Sequence, residues 1–279
     1  MIEINIQKTF STNGLSPIKL SFVCNLPEGE IIVFFGPSGA GKTTFFKLFS
    51  GILTPDSGSI TVSGETWYDS EKKINLPINK RSISALFQDH TLFPNMNVLE
   101  NLKFSFPSSK INIGLLEELV EVSEIGSILS EPIAHLSSGQ KQRVSLVRSL
   151  LQKPSLLLLD EPFSSLDLKL RKQLMGLIKS LQKKWQMTVF VITHEIPEII
   201  DLANQVYFVE NGQFQTFGKP LELFSKKDGG TLVCEVVGEN LSTDVVSLWV
   251  PNQLVSVPKK NQMIQKQIGD SITCKLDLN

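Results

Sequence analysis

The sequence predicts an α/β protein with a parallel β-sheet core covered by helices on both faces. An N-terminal antiparallel β subdomain, a helical insertion and a small C-terminal β appendage complete it. Three observations carry this expectation. The apolar runs Ile31-Ile32-Val33-Phe34-Phe35, Leu156-Leu157-Leu158-Leu159 and Thr188-Val189-Phe190-Val191-Ile192-Thr193 have the unbroken form of strands buried on both faces. The helix-forming segments Thr44 to Ser50 and Leu168 to Lys184 alternate with them, as a parallel sheet requires. From about Gly229 the pattern changes to short β runs separated by polar linkers.

In chain order, Met1-Ile2-Glu3-Ile4-Asn5-Ile6 alternates as a half-buried strand does. Asn13-Gly14 and Pro27-Glu28-Gly29 are turn signals with a strand, Ile18 to Asn25, between them. Pro55-Asp56-Ser57-Gly58 turns into the strand Ser59-Ile60-Thr61-Val62, and Ile83 to Phe87 forms another that ends at Gln88. Residues 95–150 read as a helical subdomain, with Leu115, Leu116, Leu119 and Val122 along one face. The β runs Thr231 to Val237, Val245 to Val250 and Ser271 to Leu276 make the appendage. The division is therefore 1–228 for the main domain and 229–279 for the appendage.

The 279 residues are 41% hydrophobic and 20% charged, enough to bury a full core. A net charge of −1 gives no electrostatic hold on nucleic acid, which is excluded as a partner. No apolar run approaches the roughly 20 residues needed to cross a bilayer, and the N-terminus lacks the regions of a signal peptide. Cys24, Cys234 and Cys274 stand apart, without metal-ligand spacing, which points to a reducing, cytoplasmic setting.

The run Gly36-Pro37-Ser38-Gly39-Ala40-Gly41-Lys42-Thr43 fits the phosphate-loop pattern GxxxxGK[ST], between a strand and a helix as that pattern requires. Its glycines let the backbone take up positive φ and aim N–H groups at phosphate oxygens, where the helix dipole also points. Lys42 is expected to reach the β- and γ-phosphates, and the Thr43 hydroxyl to bind Mg²⁺. This is the loop of a P-loop NTPase, a class that includes kinases and GTPases as well as ATPases.

Downstream segments separate these classes. Ala85-Leu86-Phe87-Gln88-Asp89, Leu136-Ser137-Ser138-Gly139-Gln140, Leu156 to Glu161, Ser164-Ser165-Leu166-Asp167 and Thr193-His194-Glu195 follow in order. Together they resemble the nucleotide-binding subunit of ATP-binding cassette (ABC) transporters, over about Ile2 to Lys226. The resemblance implies an ATPase with ATP and Mg²⁺ as its cofactors. Asp160 would hold Mg²⁺ through water, Glu161 would polarise the attacking water, and His194 would hydrogen-bond the γ-phosphate. Gln88 would touch Mg²⁺ or the water and begin a mobile loop, Asp89 to Asn97, that faces the membrane partner. Thr44 completes the run that contacts the nucleotide.

The segment Leu136 to Gln140 is similar to the signature LSGGQ, with Ser138 in place of its first glycine. Ser137, Gly139 and Gln140 would then meet the γ-phosphate of ATP held by a second copy, in a head-to-tail dimer closed around two ATPs. Asp167 would contact the opposite phosphate loop. Phe10 is expected to stack on adenine, with Phe22 as its rival. Further partners implied are polytopic membrane permease subunits and, indirectly, an extracytoplasmic solute-binding protein. The chain would sit peripherally on the cytoplasmic face of the membrane.

Leu76-Pro77-Ile78-Asn79-Lys80-Arg81 and Phe87-Gln88-Asp89-His90-Thr91-Leu92-Phe93-Pro94 resemble oxyanion importer subunits, most of all those of molybdate importers. The appendage stands where those carry an oxyanion-binding domain, with Gly238 to Asn240 and Ser242 as the candidate pocket, or it serves only for packing. Import of sulfate, polyamine or sugar would use almost every one of the same catalytic residues. A soluble, non-transport ABC ATPase is the other open reading.

Overall fold

The structure is a computed structural model of the chain. It describes residues 1–12, 15–87, 92–106, 112–220, 223, 230–240, 245–250, 253–258 and 271–276.

Strands β1 (Ile2–Thr12) and β2 (Leu15–Leu26) pair antiparallel, and β4 (Ser57–Val62), β5 (Glu65–Asp69) and β6 (Ile74–Asn75) extend the sheet in the order β2-β1-β4-β5-β6. The alternation at the N-terminus sends Ile2, Ile4 and Ile6 inward while Glu3 and Asn5 face solvent. The predicted turn at Asn13-Gly14 lies outside the described residues.

The second sheet runs β11-β10-β3-β9-β8-β7, built from β3 (Ile31–Phe35), β7 (Ile83–Leu86), β8 (Leu156–Asp160), β9 (Thr188–Ile192), β10 (Gln205–Glu210) and β11 (Gln213–Gly218). All its pairings are parallel except the β10–β11 hairpin. The unbroken apolar runs are explained by burial on both faces. Ile32, Phe34, Leu158 and Phe190 pack with the first sheet and helix α1 (Lys42–Ser50), whereas Val33, Leu157, Val189 and Val191 belong to the opposite core. That opposite core also receives α2 (Val98–Lys103), α3 (Ile113–Val122), α4 (Ser138–Leu151), α5 (Leu168–Trp185) and α6 (Ile196–Leu202).

Among the described residues of 95–150 lie α2, α3 and most of α4, with 3₁₀ turns at Gly126–Ile128 and Ile133–His135. Of the predicted apolar face, Leu115 and Leu119 are buried, and Leu116 and Val122 pack at its edge. The carboxyl-terminal residues form a four-stranded antiparallel sheet, β14-β13-β12-β15, from β12 (Gly230–Asn240), β13 (Val245–Val250), β14 (Gln253–Pro258) and β15 (Ser271–Leu276). Strand β14 is not predicted, because Gln253-Leu254-Val255-Ser256-Val257 is too short and mixed a run to stand out. Of the candidate oxyanion pocket, Gly238 to Asn240 lie on β12 and Ser242 lies outside the described residues.

The segment at Leu76 to Arg81 ends in a structural feature. Arg81 is buried and lies 5.5 Å over the Trp67 ring. Its guanidinium donates to the carbonyls of Leu76 at 2.9 Å and of Phe49, in the last turn of α1. Burial pushes its pKa down to about 10, so it stays charged at neutral pH and complements the negative end of the α1 dipole. The helix of the phosphate loop is thereby tied to the first sheet.

Candidate nucleotide site

The carboxyl ends of β3, β8 and β9 lie side by side, where open α/β sheets place their ligands. Leaving β3, the chain takes φ 154° at Gly36, 80° at Gly39 and 98° at Gly41 before α1 begins at Lys42. These glycines have different reasons to be glycine. A Cβ on Gly36 would stand 2.0 Å from the Val209 carbonyl oxygen, whereas one on Gly39 meets nothing within 4 Å. No side chain caps the start of α1 and no acidic residue stands in its first turn, so the positive end of its dipole remains available to an anion. The half-buried Lys42 ammonium folds over the loop and donates to the carbonyls of Gly36 at 2.7 Å and Pro37 at 2.8 Å. Desolvation lowers its pKa, against the pull of Glu161 and Asp160.

Across from the loop, Asp160 ends β8 at 1% exposure. The Thr43 hydroxyl donates to Asp160 Oδ2 at 2.7 Å, while Oδ1 is buried without a hydrogen-bond partner. An orphaned carboxylate oxygen beside a hydroxyl and a phosphate cradle is a donor set that fits a hard divalent cation such as Mg²⁺. Burial raises the Asp160 pKa, against the lowering effect of the Thr43 bond. Because the folded pKa is raised, the stability linked to this group is present at acid pH and lost as pH rises through that value. Ionised Asp160 therefore destabilises the chain at neutral pH. Asp160→Asn keeps the acceptor for Thr43 and is expected to raise the Tm of the nucleotide-free chain at neutral pH by about 2–4 °C. The same variant should abolish Mg²⁺-dependent stabilisation by ATP. Thermal scans at neutral and acid pH check both, and a lowered Tm or intact Mg²⁺ dependence would contradict them.

Glu161 follows with φ 49°, its N–H bonded to the Ile192 carbonyl at 2.9 Å. Its Oε1 lies 3.3 Å from His194 Nδ1. His194, beyond the end of β9, is exposed, and its Nε2 lies 3.5 Å from Glu195 Oε1. A cavity of about 530 Å³ is lined by Gly36, Pro37, Ser38, Lys42, Glu161 and His194, with Phe35 and Phe208. A second, of about 360 Å³, adjoins Gly39, Gly41, Thr43, Thr44 and Asp160.

Other predicted residues line neither cavity. Ser137 caps α4 in a capping box with Gln140: its Oγ accepts from Gln140 N at 3.3 Å, and Gln140 Oε1 accepts from Ser137 N at 2.8 Å. A Cβ on Gly139 would stand 2.8 Å from the Ser165 carbonyl oxygen, so this position needs glycine within the chain itself. Exposed Asp167 caps α5, accepting from Leu170 N at 3.0 Å, and that bond lowers its pKa. Phe10 is half-buried against the core with the Lys8 ammonium 6.0 Å over its ring. Phe22 is fully buried, 5.0 Å from the Phe45 ring, which removes it as a platform for adenine. Gln88 and His90 lie outside the described residues.

Two contributors were not foreseen. Buried Gln142 donates to the Glu161 carbonyl at 2.7 Å and accepts from Ser165 N at 3.1 Å, joining α4 to the loop that follows Glu161. The β10–β11 hairpin turns at Asn211-Gly212, where φ is 48° and 72°, and the Gly212 N–H donates to the Ala40 carbonyl at 3.0 Å. Asn-Gly between apolar runs was the sequence signal for that turn.

Residues 20–164 match the family described as ABC transporter. The spermidine/putrescine import ATP-binding protein PotA of Mycoplasma capricolum is 34% identical over 228 residues, covering 80% of this chain and 63% of that protein. The molybdenum import ATP-binding protein ModC of Vibrio parahaemolyticus is 38% identical over 201 residues, covering 72% of this chain and 54% of that protein. PotA of Legionella pneumophila is 33% identical over 278 residues, covering 98% of this chain and 72% of that protein. This chain thus spans under two thirds of the first two relatives' length. Among solved structures, the dimeric post-hydrolysis state of the ATP-binding cassette MJ0796 bound to ADP and Pi superposes with a TM-score of 0.69 at 26% identity, covering 79% of this chain and 99% of that one. With the phosphate loop, its strand-end carboxylates and these relatives in agreement, the chain belongs to the ABC transporter family.

Proposed function

We propose that this chain is the ATP-hydrolysing subunit of an ABC importer, working as a head-to-tail pair closed around two ATPs. The observation that carries the reading is the convergence of Lys42, Thr43, Asp160, Glu161 and His194 at the ends of three adjacent strands, with Glu161 3.3 Å from His194. Lys42 and the loop N–H groups bind the phosphates, and Thr43 with Asp160 holds Mg²⁺. The cation, when bound, offsets charge on the phosphate oxygens. Glu161 takes a proton from the attacking water as its oxygen bonds to the γ-phosphorus, and ADP leaves. His194, oriented by Glu161, donates to the γ-phosphate. Gln88 completes the water's surroundings, and Phe10 packs on the adenine.

The cap at Ser137 and the backbone at Gly139 and Gln140 meet the γ-phosphate on the second copy, and Asp167 its phosphate loop. Dimeric cassettes among the similar structures support this arrangement. Membrane permease subunits and an extracytoplasmic binding protein complete the assembly, with this chain peripheral on the cytoplasmic side. Among the described residues no helix is long and apolar enough to cross a membrane.

For the solute, the segments at Leu76 to Arg81 and Phe87 to Pro94 and the ModC relatives favour molybdate or a related oxyanion. Spermidine or putrescine is the second reading, favoured by the Legionella PotA that matches 98% of this chain. Co-purification with a polytopic membrane protein is expected. ATP hydrolysis by that complex should rise when a binding protein loaded with molybdate, rather than with polyamine, is added. A purely soluble complex would refute transport, and stimulation by polyamine alone would transfer the solute to the second reading.

A further inference from the structure

Beside the Glu161–His194 pair lies a charge cluster, built round the buried Glu198, that the chemistry above leaves unused. Glu198, in α6, is 2% exposed, and burial raises its pKa. A carboxylate at this depth is costly unless its oxygens are satisfied, and these two are spent on different elements. Oε2 accepts from the Thr193 hydroxyl at 2.5 Å, and Oε1 lies 3.4 Å from Arg171 Nη1. The Thr193 oxygen in turn accepts from Glu195 N at 3.1 Å, closing the turn that carries His194.

Arg171, one turn into α5, faces the other way as well. Its Nη2 donates to the Leu166 carbonyl at 3.4 Å, and its backbone N–H to the Asp167 carbonyl at 2.9 Å. Nη1 lies 4.0 Å from Glu195 Oε2, and Nε is buried without a hydrogen-bond partner. Both ring nitrogens of His194 face carboxylates, Glu161 on one side and Glu195 on the other. For Nε2 to donate to a phosphate, Glu195 must release it. Arg171, with Nη1 already 4.0 Å from Glu195 Oε2, is the cation placed to take that carboxylate.

We propose that Arg171 and Glu198 are positioning residues for His194, coupling the loop 164–167 to the turn 193–195. Glu198 fixes the turn through Thr193, and Arg171 draws Glu195 off the imidazole when the loop that carries Asp167 engages the second copy. The inference rests on the ATPase reading above, in which that loop lies at the dimer interface.

The test uses the full chain carrying Arg171→Met, Glu198→Gln, His194→Ala and the double variant Arg171→Met/His194→Ala. Arg171→Met is expected to lower kcat about 10- to 100-fold, the effect of a misplaced catalytic group, with KM for ATP within about twofold. In the His194→Ala background it should lower kcat no further, because the two act as one unit. A merely structural ion pair would instead lower Tm and add its loss to that of His194→Ala. Wild-type kcat in Arg171→Met, or additive losses, would overturn the proposal. Glu198→Gln keeps an acceptor for Thr193 and serves if Arg171→Met does not fold.

Hydrogen exchange at the Glu195 amide separates the two levels of failure. It is expected to quicken in Glu198→Ala, which removes the acceptor for Thr193, whether or not the chain turns over ATP. Unchanged exchange overturns the coupling, whereas a wild-type chain without ATPase activity but with quickened exchange overturns the reading on which it rests.

Discussion

Glu161→Gln is expected to bind ATP with near-wild-type affinity and to hydrolyse it about 10²- to 10⁴-fold more slowly, the usual worth of a general base. The substitution preserves size and leaves the backbone bond to Ile192 in place, so φ 49° at this position is as tolerable as before. What changes is the carboxylate beside His194 Nδ1, which becomes an amide unable to accept a proton from water. Lys42 loses one of the two charges that oppose its desolvation, so a small effect on binding accompanies the large effect on turnover. Equilibrium binding of a fluorescent ATP analogue and phosphate release, measured on the same preparation, separate the two. Normal turnover would remove Glu161 from the chemistry.

Gly36→Ala is expected to cost more than about 3 kcal/mol of stability and to abolish ATP binding, because a buried backbone must move to admit one methyl group. The new Cβ would lie 2.0 Å from the Val209 carbonyl, and Gly36 continues directly from the strand that pairs with β10. Gly39→Ala is the control. Its φ of 80° makes an alanine strained, but nothing lies within 4 Å of the new atom. Its cost should stay near the roughly 1–2 kcal/mol of a left-handed L-residue. Urea midpoints and ATP binding for the pair check the ordering, and equal stability of the two would show that Val209 yields easily.

Much of the fold was legible because its signals are local. The runs at β3, β8 and β9 are apolar except at Asp160 and Thr188, since both faces of a parallel strand are covered, and their lengths in the structure differ from expectation by a residue or two. The hairpin β10–β11 and strand β14 were missed, although Asn211-Gly212 marked the first, because neither has a run long or uniform enough to stand out. In the candidate site, Lys42, Thr43, Asp160, Glu161 and His194 were named from motifs that each sit at a strand end. Phe22 was offered as a platform for adenine because aromatic character is visible in a sequence and burial is not.

The sequence by itself determined which chemical groups are available and at which strand ends they stand, because strand, tight turn and helix start are set by neighbours in the chain. Only the tertiary structure decided what surrounds them. Sheet order brings β10 beside β3, so the Val209 carbonyl leaves no room for a Cβ at position 36. It also brings β8 beside β9, so Glu161 meets His194 across 33 residues of sequence, and Glu198 is buried where Arg171 can reach it. Such contacts depend on which strands become neighbours, and that is settled by burying both cores at once rather than by any local pattern.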